Sequence, residues 1–341
     1  MTGVPGAHAT GAERDRFVLA QRPARRALDP WRHQGVLIEP ERAADGRVVQ
    51  VATVFLTGRE CPWRCVMCDL WQHTIQEHTP AGALVHQLDQ ALESVRKDGV
   101  GVEHVKLYNA GSFFDPRAVP EQDYEPLAAL LAGATHVIVE SHPALIGPRL
   151  TRFRVALACA ARDGAGPGLE VAMGLETAHP DALRQLHKGF SLDQFNRAAD
   201  RVLQLGATLR VFLLVGVPFI APAEQSEWLA RSVACAFACG ASAVSLIPTR
   251  FGNGAVEALA AAGLFVAPSI ADLERGFEDA LETMRPHTRG RVFADVWNLQ
   301  AFASCPSCLE PRRDRLRRMN LEQRVLPAAS CAACHPTPRT V

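Results

Sequence analysis

The sequence has no charge excess of either sign. Its 36 Lys and Arg balance 36 Asp and Glu, for a net charge of 0 at pH 7. No overall field therefore draws it to nucleic acid or a membrane surface, and a strongly basic DNA-coating protein is excluded. It also lacks a long hydrophobic run. The longest, residues 211–223, is broken by Gly216, Pro218 and Pro222 and falls short of the roughly 20 residues a transmembrane helix needs. An apolar leader is missing too: residues 1–35 alternate Arg, Pro, Gly and Ala. That stretch reads as a loose extension rather than a secretory signal, and the expected location is the cytoplasm. There is no low-complexity tract apart from the Arg/Ala/Pro-biased ends. With 341 residues, 48% of them hydrophobic, the chain can fill a full core.

Cysteine is not scarce. Ten are present, and in a reducing compartment that number argues for metal or redox chemistry before disulfides. Seven fall in two groups: Cys61, Cys65 and Cys68 near the front, and Cys305, Cys308, Cys331 and Cys334 near the end. Cys159, Cys235 and Cys239 sit in Ala-rich helical patterns.

From about residue 50, β-branched runs alternate with amphipathic stretches, the pattern of βα units around a parallel sheet. Six strands are expected at 51–57, 104–108, 136–140, 169–175, 208–215 and 243–247. Helices are expected at 82–98, 123–131, 148–163, 192–205 and 223–239, several stopped by a glycine such as Gly99, Gly164, Gly206 or Gly240. Six such units make a partial (β/α)6 barrel or a doubly wound sheet, and in either the chemistry belongs at the C-terminal strand ends. After residue 247 the regularity fades into a helix at 269–284 and a Cys-bearing tail. The expected division is an N-terminal extension, 1–45, a core, 46–250, and a C-terminal extension, 251–341.

Cys61-Pro-Trp-Arg-Cys65-Val-Met-Cys68 follows the first expected strand directly. Three thiolates from one short loop suit three irons of a [4Fe-4S] cluster and leave the fourth iron open to another ligand. A zinc site recruiting His73, or plain core cysteines, are the alternatives. In the tail, Cys305-x2-Cys308 and Cys331-x2-Cys334 form two paired hooks. That spacing fits a structural zinc, with an auxiliary iron-sulfur cluster as the alternative and His335 as a substitute ligand. Between the hooks, Arg312, Arg313, Arg315, Arg317 and Arg318 form a basic patch suited to an RNA backbone, to a solvated helix face, or to contact with the acidic side of the barrel.

The C-x3-C-x2-C loop after a first strand resembles the radical S-adenosylmethionine (SAM) superfamily, over roughly residues 50–250. That resemblance implies a partial (β/α)6 barrel with a [4Fe-4S] cluster. SAM would chelate the open iron and be cleaved reductively to a 5′-deoxyadenosyl radical, with electrons from a donor such as a flavodoxin or ferredoxin. The position before the third cysteine, often aromatic in the superfamily, is Met67. The Tyr108-Asn109-Ala110-Gly111-Ser112 stretch stands where a Gly-Gly-Glu-like turn binds the SAM amino group, so Asn109, Gly111 and Ser112 are candidates, with the Glu missing. Glu176 stands where a strand-four polar residue holds the ribose, and Lys188 where a cation pairs with the SAM carboxylate. Gly216 and Pro218 resemble the Gly-x-Pro turn under the adenine. Glu140, Ser141 and His142 face the same mouth as substrate-binding candidates. Several stretches, among them residues 55–69 and 106–115, look like the radical SAM subunit of archaeosine synthase and its relatives. That likeness implies C–N cleavage on a lysine adduct of a 7-deazaguanine in tRNA. A radical SAM enzyme for a small metabolite or peptide, and a non-enzymatic iron-sulfur or zinc protein, remain alternative expectations.

Overall fold

The computed structural model describes residues 3–109, 111–161, 166–284, 290–331 and 333–334. In chain order the elements are α1 (Gly11–Gln21), β1 (Gly35–Arg42), β2 (Val48–Leu56), α2 (Ala83–Lys97), β3 (His104–Asn109), α3 (Tyr124–Leu131), β4 (His136–Glu140), α4 (Pro148–Ala160) and β5 (Gly168–Glu176). They continue with α5 (Pro180–Gln185), α6 (Leu192–Gln204), β6 (Thr208–Val215), α7 (Gln225–Ala238), β7 (Ala243–Pro248), α8 (Ala255–Ala261), α9 (Ile270–Met284), β8 (Arg291–Ala294) and α10 (Pro306–Glu322). The eight strands form one sheet in sequential order. β2 to β8 are parallel, and β1 runs antiparallel to β2 at the edge. This is an α/β partial barrel of the radical SAM type with a cysteine-bearing C-terminal extension, the fold class expected.

All six expected strands form, within three residues of the expected ends. The sheet also crosses both expected domain boundaries, since β1 lies in the N-terminal extension and β8 in the C-terminal one. The N-terminal extension is not loose. Thr10 and Glu13 close a reciprocal capping box at the start of α1, satisfying its orphan N–H groups. Phe17 and Val18 are buried against Val66, Val256 and Leu259. The α1 sequence hides this because its apolar residues cluster rather than repeat along the helix, and Pro40 disguises β1. An edge strand tolerates that proline, since its missing N–H faces no partner. Gly164 and His335 lie outside the described residues.

The convex face buries one continuous apolar core, including Leu84, Leu107, Phe113, Phe153, Phe195 and Phe277, under α2 to α7 and α9. The concave face carries charge instead. Arg210 bridges Glu41 and Glu170, each at 2.6 Å, Lys106 pairs with Glu41, and Arg291 reaches Glu170 at 3.3 Å. Strands β1, β3 and β6 are not neighbours, so these contacts span the hollow of the barrel and fix its curvature. Burial opposes ionisation of Glu41 and Glu170, but the surrounding cations outweigh it and hold both carboxyls below their usual range. Between the edges, Arg291 donates to the Arg42 carbonyl at 3.1 Å and Trp297 Nε1 to Glu39 at 2.9 Å. Side chains thereby bridge a gap that no strand closes.

Candidate active site and metal centre

Beyond β2 the chain enters a loop held at many points. Gln87 accepts from Thr57 N at 2.8 Å, and Thr79 Oγ1 accepts from Arg59 N at 2.9 Å. Arg59 pairs with Ile75 in an isolated bridge. Glu60 receives Arg22 at 2.8 Å, Arg64 at 3.1 Å, and Arg25, so the N-terminal segment ties the loop down. Arg22 and Arg25 also lie over the Trp71 ring, at 4.7 and 5.4 Å. Farther along, Val66 N donates to the Leu186 carbonyl at 3.0 Å, and Asn253 Nδ2 donates to the Val66 carbonyl at 2.6 Å. Cys61, Cys65 and Cys68 are thus fixed at the C-terminal end of the barrel. Burial pushes all three thiols up, Cys65 to about 12, against the opposing charge of Lys188 on Cys61 and Cys65. Thiols so disfavoured as free anions become thiolate ligands only when a cation binds them.

Facing the loop, β5 ends in a register shift between Gly174 and Glu176, and Glu176 takes a left-handed φ of 69°. That strained backbone turns the carboxylate onto Lys188, whose Nζ donates to Oε1 at 2.7 Å. Burial opposes the Lys188 charge, but Glu176 outweighs it and raises the ammonium above its usual range. A side chain at Gly174 would run into both partners, so glycine there makes room for the pair. Glu176 and Lys188 are expected to serve separate ligand groups; in the structure they are each other's partners.

The other expected residues occupy neighbouring strand ends. Asn109, at the end of β3, is fully buried, and among the described residues neither its Oδ1 nor its Nδ2 has a hydrogen-bond partner, a costly state that a ligand would relieve. Gly111 packs under the Arg59 carbonyl, where a Cβ would collide. Ser112 Oγ accepts from His142 N at 3.1 Å. Gly216 has φ 73° and rests on Pro268, and Gln225 ties the turn through Pro218 by bonding both Val217 N and Val217 O. Met67 packs against the apolar clusters that include Phe219.

Glu140 sits at the end of β4 without a hydrogen-bond partner for its carboxylate among the described residues; burial, reinforced by Glu176, pushes it up to about 8. His142 stacks on Trp63, with centroids 3.4 Å apart and planes 11° from parallel. Its Nε2 meets the Lys188 carbonyl at 2.7 Å, and Nδ1 accepts from Ala144 N at 3.2 Å. These bonds assign the neutral Nε2–H tautomer. Trp63, Asn253, Glu60 and Gly174 escape sequence reasoning. Trp63 and Glu60 adjoin the cysteines and carry a local signal, whereas the Asn253 bond spans 187 residues.

In the tail, Cys305, Cys308, Cys331 and Cys334 bring their sulfurs within 4.8 Å of one another. The Cys305–Cys331 and Cys308–Cys334 separations are both 3.8 Å. A tetrahedral ion with metal–sulfur bonds of about 2.3 Å requires sulfurs about 3.8 Å apart, so this set fits one metal ion.

The arginine run, read as suited either to RNA or to solvent and the protein's own acids, is engaged with those acids. Arg312 bonds Glu274 at 2.6 Å and Arg315 bonds Glu278 at 2.6 Å, pinning α10 to α9. Arg313 pairs with Glu310, Arg317 with Asp314 at 3.7 Å and Arg318 with Glu322 at 3.2 Å. The run reads as basic in sequence because three of the partners lie a turn away on α10 and two on α9.

No family model matches the chain. Over 197 residues it is 25% identical to the archaeosine synthase subunit beta of Methanosarcina acetivorans, covering 55% of each. Over 246 residues it is 22% identical to an uncharacterized protein of Methanocaldococcus jannaschii, covering 68% of this chain and 64% of that one. The chain thus spans between about half and two thirds of the length of the curated relatives it matches. Its fold is that of methylornithine synthase, with a TM-score of 0.52 at 16% identity, over 94% of this chain and 80% of the other. In class, the chain resembles the radical SAM superfamily. In particular, it resembles the archaeosine synthase β subunit. Among the described residues no helix is long and apolar enough to cross a membrane.

Proposed function

We propose that this chain is a radical SAM enzyme whose Cys61, Cys65 and Cys68 hold a [4Fe-4S] cluster beside a SAM site at the mouth of the barrel. The observation that carries the reading is the approach of the buried Glu176–Lys188 pair to three thiols of one fixed loop, Cys65 buried and Cys61 and Cys68 half-buried, with the Asn109 amide, without a partner among the described residues, at a neighbouring strand end. The donor set fits the group: three thiolates satisfy three irons and leave one open. When bound, the cluster supplies the electron that breaks a SAM carbon–sulfur bond.

The chain's own residues do the rest. Lys188 keeps two N–H groups beyond the one given to Glu176 and holds the SAM carboxylate with them. Glu176 offers its second oxygen to ribose hydroxyls, and Asn109 and Ser112 face the amino group. The Gly216–Pro218 turn and Met67 would receive the adenine. Trp63, clamped on His142, keeps the cysteine loop and the Lys188 loop in register and excludes water from the reacting bond.

For the substrate, likeness to an archaeosine synthase subunit supports a tRNA 7-deazaguanine-type nucleoside, with C–N cleavage or a related step as the reaction and a flavodoxin- or ferredoxin-like electron donor. The tail cysteines hold a structural zinc that staples α10, and the protein acts in the cytoplasm. The test is anaerobic reconstitution, dithionite reduction and incubation with SAM, with and without tRNA, reading 5′-deoxyadenosine by mass spectrometry. The wild type forms it, the Cys65→Ala variant does not, and Cys159→Ala, at an exposed site, behaves as wild type. Equal loss in both variants would sink the cluster assignment, and equal product with and without tRNA would sink the substrate.

A further inference from the structure

A cleft of about 500 Å³ opens between the start of α6 and the turn after β4. Arg197, Arg201 and Gln194 form one wall, while Pro143 and Ile146 give the other an apolar surface. No carboxylate lines it. Arg197 and Arg201 lie one helical turn apart and are both exposed, and among the described residues neither makes an ion pair. This sets them apart from their surroundings, where Arg149 and Arg152 both bind Glu121 and Arg184 binds Asp181. Two like charges at this spacing repel each other on a helix. Facing one concavity without a counter-charge, they form a local positive field in a neutral protein.

On two sides the cleft is lined by residues next in sequence to members of the candidate active site. Pro143 follows His142, and Gly189 and Phe190 follow Lys188. His142 and Lys188 are themselves joined by the 2.7 Å bond. The cleft thus lies next to the His142–Lys188 junction of the candidate site.

We infer that this cleft, and not the arginine run of α10, grips the sugar-phosphate backbone of an RNA substrate beside the catalytic mouth. The inference rests on the tRNA reading above. Guanidinium groups bind phosphate oxygens in a bidentate fork, and the apolar wall receives a ribose or base face.

The experiment is fluorescence anisotropy of an unmodified tRNA transcript against the full chain at several salt concentrations. It compares wild type, R197A/R201A, R197K/R201K and R317A/R318A, each checked for wild-type melting temperature and cluster absorbance. R197A/R201A weakens binding roughly tenfold or more and lowers the salt slope by about two, one counterion per lost phosphate contact. R197K/R201K keeps the slope and R317A/R318A binds as wild type. Wild-type affinity in R197A/R201A, with tRNA bound by the parent, overturns the cleft and leaves the tRNA reading standing. Absence of tRNA binding by the parent itself, even at low salt, removes both. Unchanged tRNA affinity in R197A/R201A together with lost binding of polyglutamate reassigns the cleft to an acidic protein partner and likewise overturns the inference.

Discussion

Trp63 lies flat on His142, ring on ring at 3.4 Å, and His142 in turn donates to the Lys188 carbonyl at 2.7 Å. One imidazole thereby joins the cysteine loop after β2 to the loop between α5 and α6. Gly189 makes the approach possible, since any Cβ there would strike the Trp63 ring. His142→Ala removes the stack and the bond together. We expect it to cost about 1–3 kcal/mol of stability and to lower the iron retained after reconstitution. Iron and sulfide counting, paired with urea unfolding, checks this. Full iron retention in a destabilised variant would leave the clamp structural only.

The Glu176–Lys188 pair gives a sharper test. Lys188→Met leaves a carboxylate buried without its cation, which typically costs about 3–5 kcal/mol. Glu176→Gln/Lys188→Met, which removes both charges, is expected to recover much of that loss. Both variants lose SAM binding by isothermal titration. A double variant no more stable than Lys188→Met would show that the two residues do not act as a pair.

These sites differ in how far the sequence discloses them. The six parallel strands are legible because each is a short β-branched run before a turn, and the cysteine hooks because their spacing is local. Glu176 is legible as a polar residue at an apolar strand end. Its pairing with Lys188 is not, because it depends on a left-handed φ that no residue type signals and on the empty space at Gly174. The arginine run of α10 leaves its role open in sequence for the same reason in reverse. Its charge is visible in the sequence, but Glu274 and Glu278, the acids that take Arg312 and Arg315, come from another helix.

Metal removal separates the tail from the barrel. With four sulfurs at tetrahedral spacing, we expect one zinc per chain by elemental analysis, released by a thiol-modifying reagent. Cys308→Ser should lose it, because Cys308 is the buried member of the set. Metal binding is folding energy in such sites, so α10 should then gain amide exchange. The barrel should keep its [4Fe-4S] absorbance, and loss of both metals together would place the two sites in one cooperative unit.

Acid should weaken the fold through its histidines. Burial lowers His142 to about 3, His104 to about 4 and His136 below its usual value. Unfolded imidazoles titrate near 6.5. Between about 6.5 and 4 the unfolded chain therefore binds more protons than the folded one, and stability falls as pH falls. The urea midpoint should drop between pH 7 and pH 5, and His142→Gln should reduce that drop. A midpoint that rises on acidification would contradict the neutral, buried assignment.

Glu140 works against that trend and can be isolated from it. Its carboxyl, pushed up to about 8 by burial and Glu176, keeps its proton in the folded state over a range where an unfolded Glu, near 4.3, has lost it. From about pH 4.3 to 8 the folded state holds the extra proton, so stability falls as pH rises through that window. Glu140→Gln mimics the protonated acid at every pH. It should match wild type near pH 4.5 and exceed it at pH 8 by up to about 5 kcal/mol, since the shift spans nearly four pKa units at about 1.4 kcal/mol each. Urea unfolding of both proteins at the two pH values decides the matter. If the advantage is the same at both, Glu140 is already ionised at the barrel mouth and offers a substrate a carboxylate. If it grows with pH, Glu140 presents a neutral acid there at physiological pH, a hydrogen-bond donor rather than an anion. The partner it then selects is an acceptor atom, not an ammonium group.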